Sequence, residues 1–176
     1  VQTCALPILY QRGLAQGAAG QWDRAVQSFT ESASLRPGVA RTWLDLGHAE
    51  EQRGRLDQAQ AAYEKSIALN ERFADGHLAL GLLAERRGNE SGAASHLARA
   101  VKIDGDNTGY RKALARHQLE AGDGSQARKT LTWLAGNADN EADRAYANAM
   151  LALLDRDTGR MLTNIRLADK LQPGGY

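Results

Sequence analysis

Glycines recur in this chain at a fixed interval of 34 residues, and each is followed five positions later by an alanine. The glycines are Gly20, Gly54, Gly88 and Gly122, and the alanines are Ala25, Ala59, Ala93 and Ala127. A period of about 34 residues is typical of a repeat built from two helices, in which each unit packs only on its neighbours. The period therefore predicts an array of helix pairs, and it favours binding over catalysis.

Setting the period in register divides the chain into five units: 6–39, 40–73, 74–107, 108–141 and 142–175. We expect the recurring glycine to end the first helix of each pair in a left-handed conformation, which glycine adopts at little cost. The fifth unit is divergent, because Arg156 stands at the register position and Gly159 comes three residues late.

The second unit carries the clearest family signature. Trp43, Leu46 and Gly47 match the W-x-x-L-G pattern of a first helix, and Ala59 and Tyr63 match the A-x-x-x-F pattern of a second helix. By these motifs the chain resembles the tetratricopeptide repeat family over nearly its whole length. The resemblance implies an all-α fold, a right-handed superhelical α-solenoid of about five helix-turn-helix repeats.

The opening segment, VQTCALPI, looks like the translated end of a common sequencing adapter. We therefore expect residues 1–8 to be non-native, the first helix of unit 6–39 to be truncated, and the chain to be a fragment of a longer array. The single cysteine, Cys4, lies in this segment. The Ala-, Gly- and Arg-rich composition suggests a bacterial gene, and hence the bacterial cytoplasm or periplasm.

Several classes of function find no support in the composition. Lys and Arg number 22 against 21 Asp and Glu, whereas nucleic-acid binders usually carry a basic excess on one face. No apolar stretch reaches the roughly 18 residues that a membrane span needs.

The histidines also give no sign of a metal site. They are His48, His77, His96 and His117. No two have the i, i+4 spacing of a helical metal pair, none adjoins the cysteine, and they fall at four different register positions. We predict no metal, no cofactor, no catalytic residues and no enzymatic activity.

A partner-binding surface can be assigned by the family resemblance. In such arrays the second, fifth, ninth and twelfth places of each unit line a concave groove, and these places share one helix face. They carry Arg41, Leu44, His48 and Glu51 in the second unit, Asp75, Leu78, Leu82 and Glu85 in the third, Gly109, Lys112, Arg116 and Leu119 in the fourth, and Asp143, Tyr146, Met150 and Leu153 in the fifth. We take all of these except Gly109, Asp143 and Leu153 as candidate partner contacts.

This set predicts an amphipathic groove with exposed leucines, a cationic step at Lys112 and Arg116, and then Tyr146 and Met150. Such a surface suits an extended or helical peptide of a protein partner. A non-binding array that tolerates a few exposed leucines is the simpler alternative. The lysines and asparagines that clamp a chaperone's C-terminal carboxylate in one subtype of the family are missing at the matching positions.

The sequence thus favours a protein-interaction scaffold that binds a peptide or partner helix. The alternative is an accessory repeat region of a larger bacterial protein. That protein would be a glycosyltransferase or sulfotransferase, or a protein of polysaccharide export or outer-membrane assembly.

Overall fold

The computed structural model describes residues 2–172, with side chains from residue 8 onward, and these residues form ten α-helices. The helices are α1 (Gln2–Ala18), α2 (Trp22–Leu35), α3 (Ala40–Gln52), α4 (Leu56–Leu69), α5 (Ala74–Arg86), α6 (Glu90–Ile103), α7 (Thr108–Glu120), α8 (Gly124–Asn137), α9 (Glu141–Leu154) and α10 (Thr158–Leu171). Residues 2–172 contain no strand, so the all-α prediction is confirmed.

Helix α1 has 17 residues, and truncation of its native part stays a prediction. Its first part is the segment that we predict to be adapter-derived. The side chain of Cys4 lies outside the described residues.

The chain divides into two compact units, Val1–His96 and Leu97–Tyr176. In the first, α1 packs on α2, α2 on α3, α3 on α4, and α4 on α5. In the second, α7 packs on α8, α8 on α9, and α9 on α10. Within each unit the helices therefore contact chiefly their neighbours in sequence, as a repeat architecture requires.

The periodic glycines end the first helix of each pair. Gly20, Gly54, Gly88 and Gly122 have φ of 69°, 73°, 70° and 76°, and Arg156 takes their place in the last pair with φ of 59°. At Gly54 two backbone bonds close the helix: the Gly54 N–H donates to the Glu51 carbonyl and the Arg55 N–H to the Glu50 carbonyl, both at 2.9 Å. This is the Schellman arrangement, and it confirms the predicted role of the glycines.

A salt bridge also recurs with the repeat. Arg53 contacts Asp23 at 2.7 Å, and Arg87 contacts Asp57 at 2.5 Å, so the same two register positions pair twice. Both carboxylates are largely exposed. An exposed pair stabilises by only about 0–1 kcal/mol, so these bridges contribute little to the stability of the fold.

The two helices of a pair approach closely where a glycine faces an aromatic ring. A Cβ added at Gly13 would lie 2.6 Å from Phe29, and one added at Gly47 would overlap the Tyr63 ring. The second compact unit has different residues at the same two register positions. Ala115 stands in place of the glycine and Leu131 in place of the aromatic residue, and both are buried in one cluster. The sum of the two side-chain volumes thus sets how closely the helices pack.

Arg156→Gly should stabilise the protein by about 0.5–1 kcal/mol. Glycine avoids the roughly 1–2 kcal/mol that a left-handed conformation costs a residue with a Cβ. Part of this gain is offset because glycine loses more conformational entropy on folding. Urea denaturation measures the change. The reverse substitution, Gly54→Ala, should destabilise the protein by a similar amount. Equal urea midpoints for both variants and the wild type would contradict the role of the left-handed conformation at these positions.

Gly47→Ala should destabilise the protein by about 1–3 kcal/mol, because the new methyl group overlaps the Tyr63 ring. Adding Tyr63→Leu should recover part of that loss relative to the sum of the single variants, since the pair then resembles Ala115 with Leu131. The control is Gly136→Ala, a helical site with open space around the added Cβ. There we expect no loss. If the changes in unfolding free energy of Gly47→Ala and Tyr63→Leu simply add, the contact between Gly47 and Tyr63 does not set the helix spacing.

Candidate partner-binding faces

The predicted groove residues of the first compact unit lie on α3 and α5. Arg41, His48 and Glu51 come from α3, and Asp75, Leu78, Leu82 and Glu85 come from α5; we call this set the α3–α5 face. Arg41, His48 and Leu82 are exposed, and the other four are half-buried. These seven side chains therefore have at least part of their surface open to a partner.

Leu44 is the exception, and the prediction that it is an exposed anchor is wrong. Its side chain is 2% exposed and packs in a core cluster with residues of α4 and α5, among them Tyr63, Leu80 and Leu83. The physical reason is that α3 packs on α4 and also contacts α5, which closes over this position. The same register position on α5, Leu78, stays half-buried.

A buried carboxylate organises one end of the α3–α5 face. Asp45 accepts a hydrogen bond of 2.6 Å from the Tyr10 hydroxyl and one of 3.1 Å from Arg41 Nε. Another guanidinium nitrogen of Arg41 lies 3.6 Å from Asp75. Burial and the neighbouring Asp45 charge raise the pKa of Tyr10 to about 12, so the phenol stays a donor. Arg41 thus joins α3 to α5 across the face.

A second polar cluster lies one helical turn further along. The Tyr63 hydroxyl donates to Glu51 at 2.6 Å, and Glu51 also contacts Arg86 at 2.8 Å. His48 Nδ1 lies 3.0 Å from the Tyr63 oxygen. Since the single phenolic proton points to Glu51, the histidine nitrogen must be the donor to Tyr63. Burial raises the pKa of Tyr63 and, although His48 is exposed as a residue, desolvation of its ring lowers the pKa of the imidazole.

The sequence analysis did not assign Tyr10, Asp45 or Arg86 to this surface. Asp45 and Arg86 stand at the sixth and thirteenth places of their units, outside the four groove places, whereas Tyr10 stands at the fifth place of unit 6–39, from which no residue was assigned to the predicted groove. A signal was present, however, because Asp45 is an acid on the helix face next to the groove, where the following unit has Ala79. An acid at such a position needs a buried partner, and Tyr10 and Arg41 supply one.

In the second compact unit the predicted residues are Lys112, Arg116 and Leu119 on α7 and Tyr146 and Met150 on α9, which we call the α7–α9 face. Leu119, Tyr146 and Met150 are half-buried against a core cluster of α7, α8 and α9. Arg116 is exposed.

The expected cationic step is neutralised by neighbouring acids. Lys112 forms an ion pair of 2.5 Å with Asp143, whose side chain is 3% exposed, and Arg116 lies 3.4 Å from Glu120. Asn140 also donates to Asp143 at 2.8 Å. Burial alone would raise the pKa of Asp143, but hydrogen bonds from Lys112, Thr108 and Asn140 outweigh it and lower the pKa. Lys112 therefore joins α7 to α9 and is not an unpaired charge for a ligand.

Two of the four histidines meet, although they occupy different register positions. Nδ1 of His77 on α5 lies 3.2 Å from Nδ1 of His96 on α6, because the two residues belong to facing helices of one repeat. Among the described residues there is no group of three or more His, Cys, Asp and Glu side chains suited to a metal ion.

The structure also has an open cavity of about 970 Å³ on α8, lined by Arg128, Lys129, Trp133 and Leu154 among others. The Arg111 guanidinium covers the Trp133 ring at 3.6 Å, and Arg128 pairs with Asp155 at 2.8 Å. Of the two basic side chains on the lining, Arg128 therefore already has an acidic partner. No helix within residues 2–172 is long and apolar enough to cross a bilayer.

Comparison with known families identifies the repeat. A sequence profile for the tetratricopeptide repeat matches residues 10–59 and 44–108, and a second profile of the same description matches residues 82–154. No curated protein matches the sequence.

Solved structures of the same fold share little sequence with this chain. YrrB, a TPR protein with an unusual peptide-binding site, is 16% identical with a TM-score of 0.69, over 99% of this chain and 94% of YrrB. TTC0263, a thermophilic TPR protein of Thermus thermophilus, is 18% identical with a TM-score of 0.73, over 97% of this chain and 93% of its own. SycD, a type III secretion chaperone of Yersinia enterocolitica solved with a peptide of the translocator YopD, is 19% identical with a TM-score of 0.62, over 66% of this chain and 95% of SycD. At these identities the likeness shows the fold alone.

Asp143→Asn should lower the free energy of unfolding at pH 7 by about 1.5–3 kcal/mol, the range for hydrogen bonds to a charged group. The pKa of Asp143 is lowered in the folded state from an unfolded value of about 3.9. Its contribution is therefore complete above that value and is lost as the pH falls through the folded pKa. Urea denaturation at pH values from 7 to 2.5 should show that the free energies of unfolding of the wild type and of Asp143→Asn become equal only in acid.

The control for this prediction is Glu120→Gln, which removes an exposed partner in the same unit and should change stability by less than about 0.5 kcal/mol. An Asp143→Asn variant as stable as the wild type at pH 7 would contradict the stabilising role of the ion pair.

Proposed function

We propose that this chain, which belongs to the tetratricopeptide repeat family, is a protein-interaction scaffold that binds a peptide or partner helix on its first-helix faces and catalyses no reaction of its own. The observation that carries the proposal is the α3–α5 face. It combines leucine side chains that a partner can reach with charges held in place by hydrogen bonds.

The apolar part of this face lies on α5. Leu78 and Leu82 are four residues apart and therefore neighbours on one side of the helix. Leu82 is 37% exposed, and Leu78 is half-buried beside it. Together they form a ridge that an apolar side chain of a peptide can cover, and burial of apolar surface is the main favourable term in association.

The charged part of the α3–α5 face favours a basic ligand. Three acidic side chains of the face, Glu51, Asp75 and Glu85, stand against the single arginine Arg41, and the adjoining Asp45 and Arg86 add one charge of each sign. Electrostatic complementarity speeds association and selects among partners more than it adds affinity. We infer a ligand that places an apolar residue on Leu82 and a lysine or arginine close by.

The α7–α9 face supports a second contact of the same kind. Tyr146 and Met150 are four residues apart on α9 and half-buried, and Arg116 on α7 is exposed. Aromatic residues, methionine and arginine are enriched at protein interfaces. Because Lys112 is tied to Asp143, we assign the recognition of this face to Tyr146, Met150 and Arg116.

Two structural neighbours agree with this function. YrrB is described as having a peptide-binding site, and SycD was solved with a peptide of its translocator. Their identity to this chain is below 20%, so they support peptide binding as the kind of function and leave the ligand to be found from the faces themselves.

The test is a peptide array, followed by fluorescence anisotropy with the best binders. Leu82→Asp should weaken binding at least tenfold, because a charge replaces the apolar contact. Leu69→Asp is the matched control, since Leu69 is equally exposed at 37% but lies at the end of α4. We expect it to bind as the wild type does, and the preferred peptides to be basic and apolar.

Equal affinities for wild type, Leu82→Asp and Leu69→Asp would place the binding surface elsewhere. A preference for acidic peptides would contradict the charge assignment even if Leu82 proved essential.

A further inference from the structure

We propose that His77 and His96 together bind a divalent transition-metal ion of the zinc type, with water completing its coordination. The site lies between α5 and α6 and shares no residue with the α3–α5 face. It is therefore independent of the proposed peptide binding.

The separation of the two imidazoles suits ligands of one metal ion. Their Nδ1 atoms are 3.2 Å apart. Two nitrogens that bind one tetrahedral zinc at about 2.0–2.1 Å lie about 3.3 Å from each other, and at a right angle they lie about 2.9 Å apart. The observed distance falls between these values, so a metal ion can be held with only a small movement of either ring.

The orientation of His77 is fixed in the way that metal ligands require. Its other ring nitrogen, Nε2, lies 3.2 Å from the backbone carbonyl of Glu71 and can only donate to it. That bond places the proton on Nε2, so the lone pair of Nδ1 accepts the hydrogen bond from Nδ1–H of His96, and a metal ion would replace that proton. A carbonyl that holds the distal N–H of a histidine is the usual outer partner of a ligating imidazole.

His96 gives the site access to solvent. It is half-buried and lines a cavity of about 90 Å³, together with Gln60, Glu64 and Asn89 among others. That volume has room for about three water molecules. The Glu64 carboxylate on the cavity wall favours a cation and accepts a hydrogen bond of 2.7 Å from Gln60, while the Arg87 guanidinium on the same wall is paired with Asp57 at 2.5 Å.

The chemistry of two imidazoles selects the metal. Neutral imidazole suits zinc, copper and nickel, whereas calcium and magnesium prefer oxygen ligands. Affinity for a given nitrogen site rises from nickel to copper and falls again at zinc. We therefore expect Cu²⁺ to bind more tightly than Zn²⁺, and Mg²⁺ not to compete.

Isothermal titration of the full chain with Zn²⁺ tests the proposal. We expect one Zn²⁺ per chain, lost on adding EDTA, and at least a tenfold weaker affinity in His96→Gln and in His77→Gln. His117→Gln, the same change at a histidine of the other compact unit, should leave the affinity unchanged. Cys4→Ser should also leave it unchanged, which removes the thiol as the source of binding.

A second readout covers the case in which a variant loses stability. In the wild type, imidazole ¹⁵N shifts of His77 and His96 should move together on adding Zn²⁺, while those of His48 should stay. Zinc affinity that survives His96→Gln, or that is lost in Cys4→Ser, would overturn the proposal. So would a wild-type titration with no binding, or shifts confined to other histidines.

Discussion

The close approach of the two helices of a repeat, with an aromatic ring of the second helix lying over a glycine of the first, is the contact on which the other features of the first compact unit depend. At Gly47 the absence of a side chain lets the Tyr63 ring pack against the backbone of α3. The whole side chain is buried, and its hydroxyl contacts Glu51 and His48 of the α3–α5 face from beneath. One side chain therefore serves the core at its ring and the candidate binding surface at its oxygen.

The charges of the two faces have partners before any ligand arrives. Arg41 is held by Asp45, Glu51 by Tyr63 and Arg86, and Lys112 by Asp143. A ligand gains little from a charge that must first give up such a partner, because removing a buried ion from its pair leaves it uncompensated. Such pairs instead hold the helices in place and keep the faces rigid, which reduces the entropy lost on binding. Affinity then has to come from exposed apolar groups such as Leu82.

The sequence was sufficient for the helical fold and the left-handed glycines, because both follow from local chemistry repeated at a fixed period. Even Arg156, which breaks the glycine pattern, adopts the same backbone conformation. The neighbours of each side chain were harder to predict. Leu44 shares a register position with Leu78 but is covered by α4 and α5, and Lys112 meets an acid 31 residues away. His77 and His96 hold different positions in the repeat and meet because they face each other across one helix pair. Register places a residue on a helix face, whereas its contacts depend on the sizes and charges of neighbours from other helices.

The most direct test of the account is backbone amide chemical-shift mapping during titration with a basic, apolar peptide selected on the array. If the α3–α5 face binds the ligand, the largest shifts should fall on α3 and α5 around His48, Glu51, Leu78 and Leu82, with those of α2 and α4 small. Shifts concentrated on α2 and α4, or spread evenly along the chain, would contradict the central claim that the first helices present the binding surface.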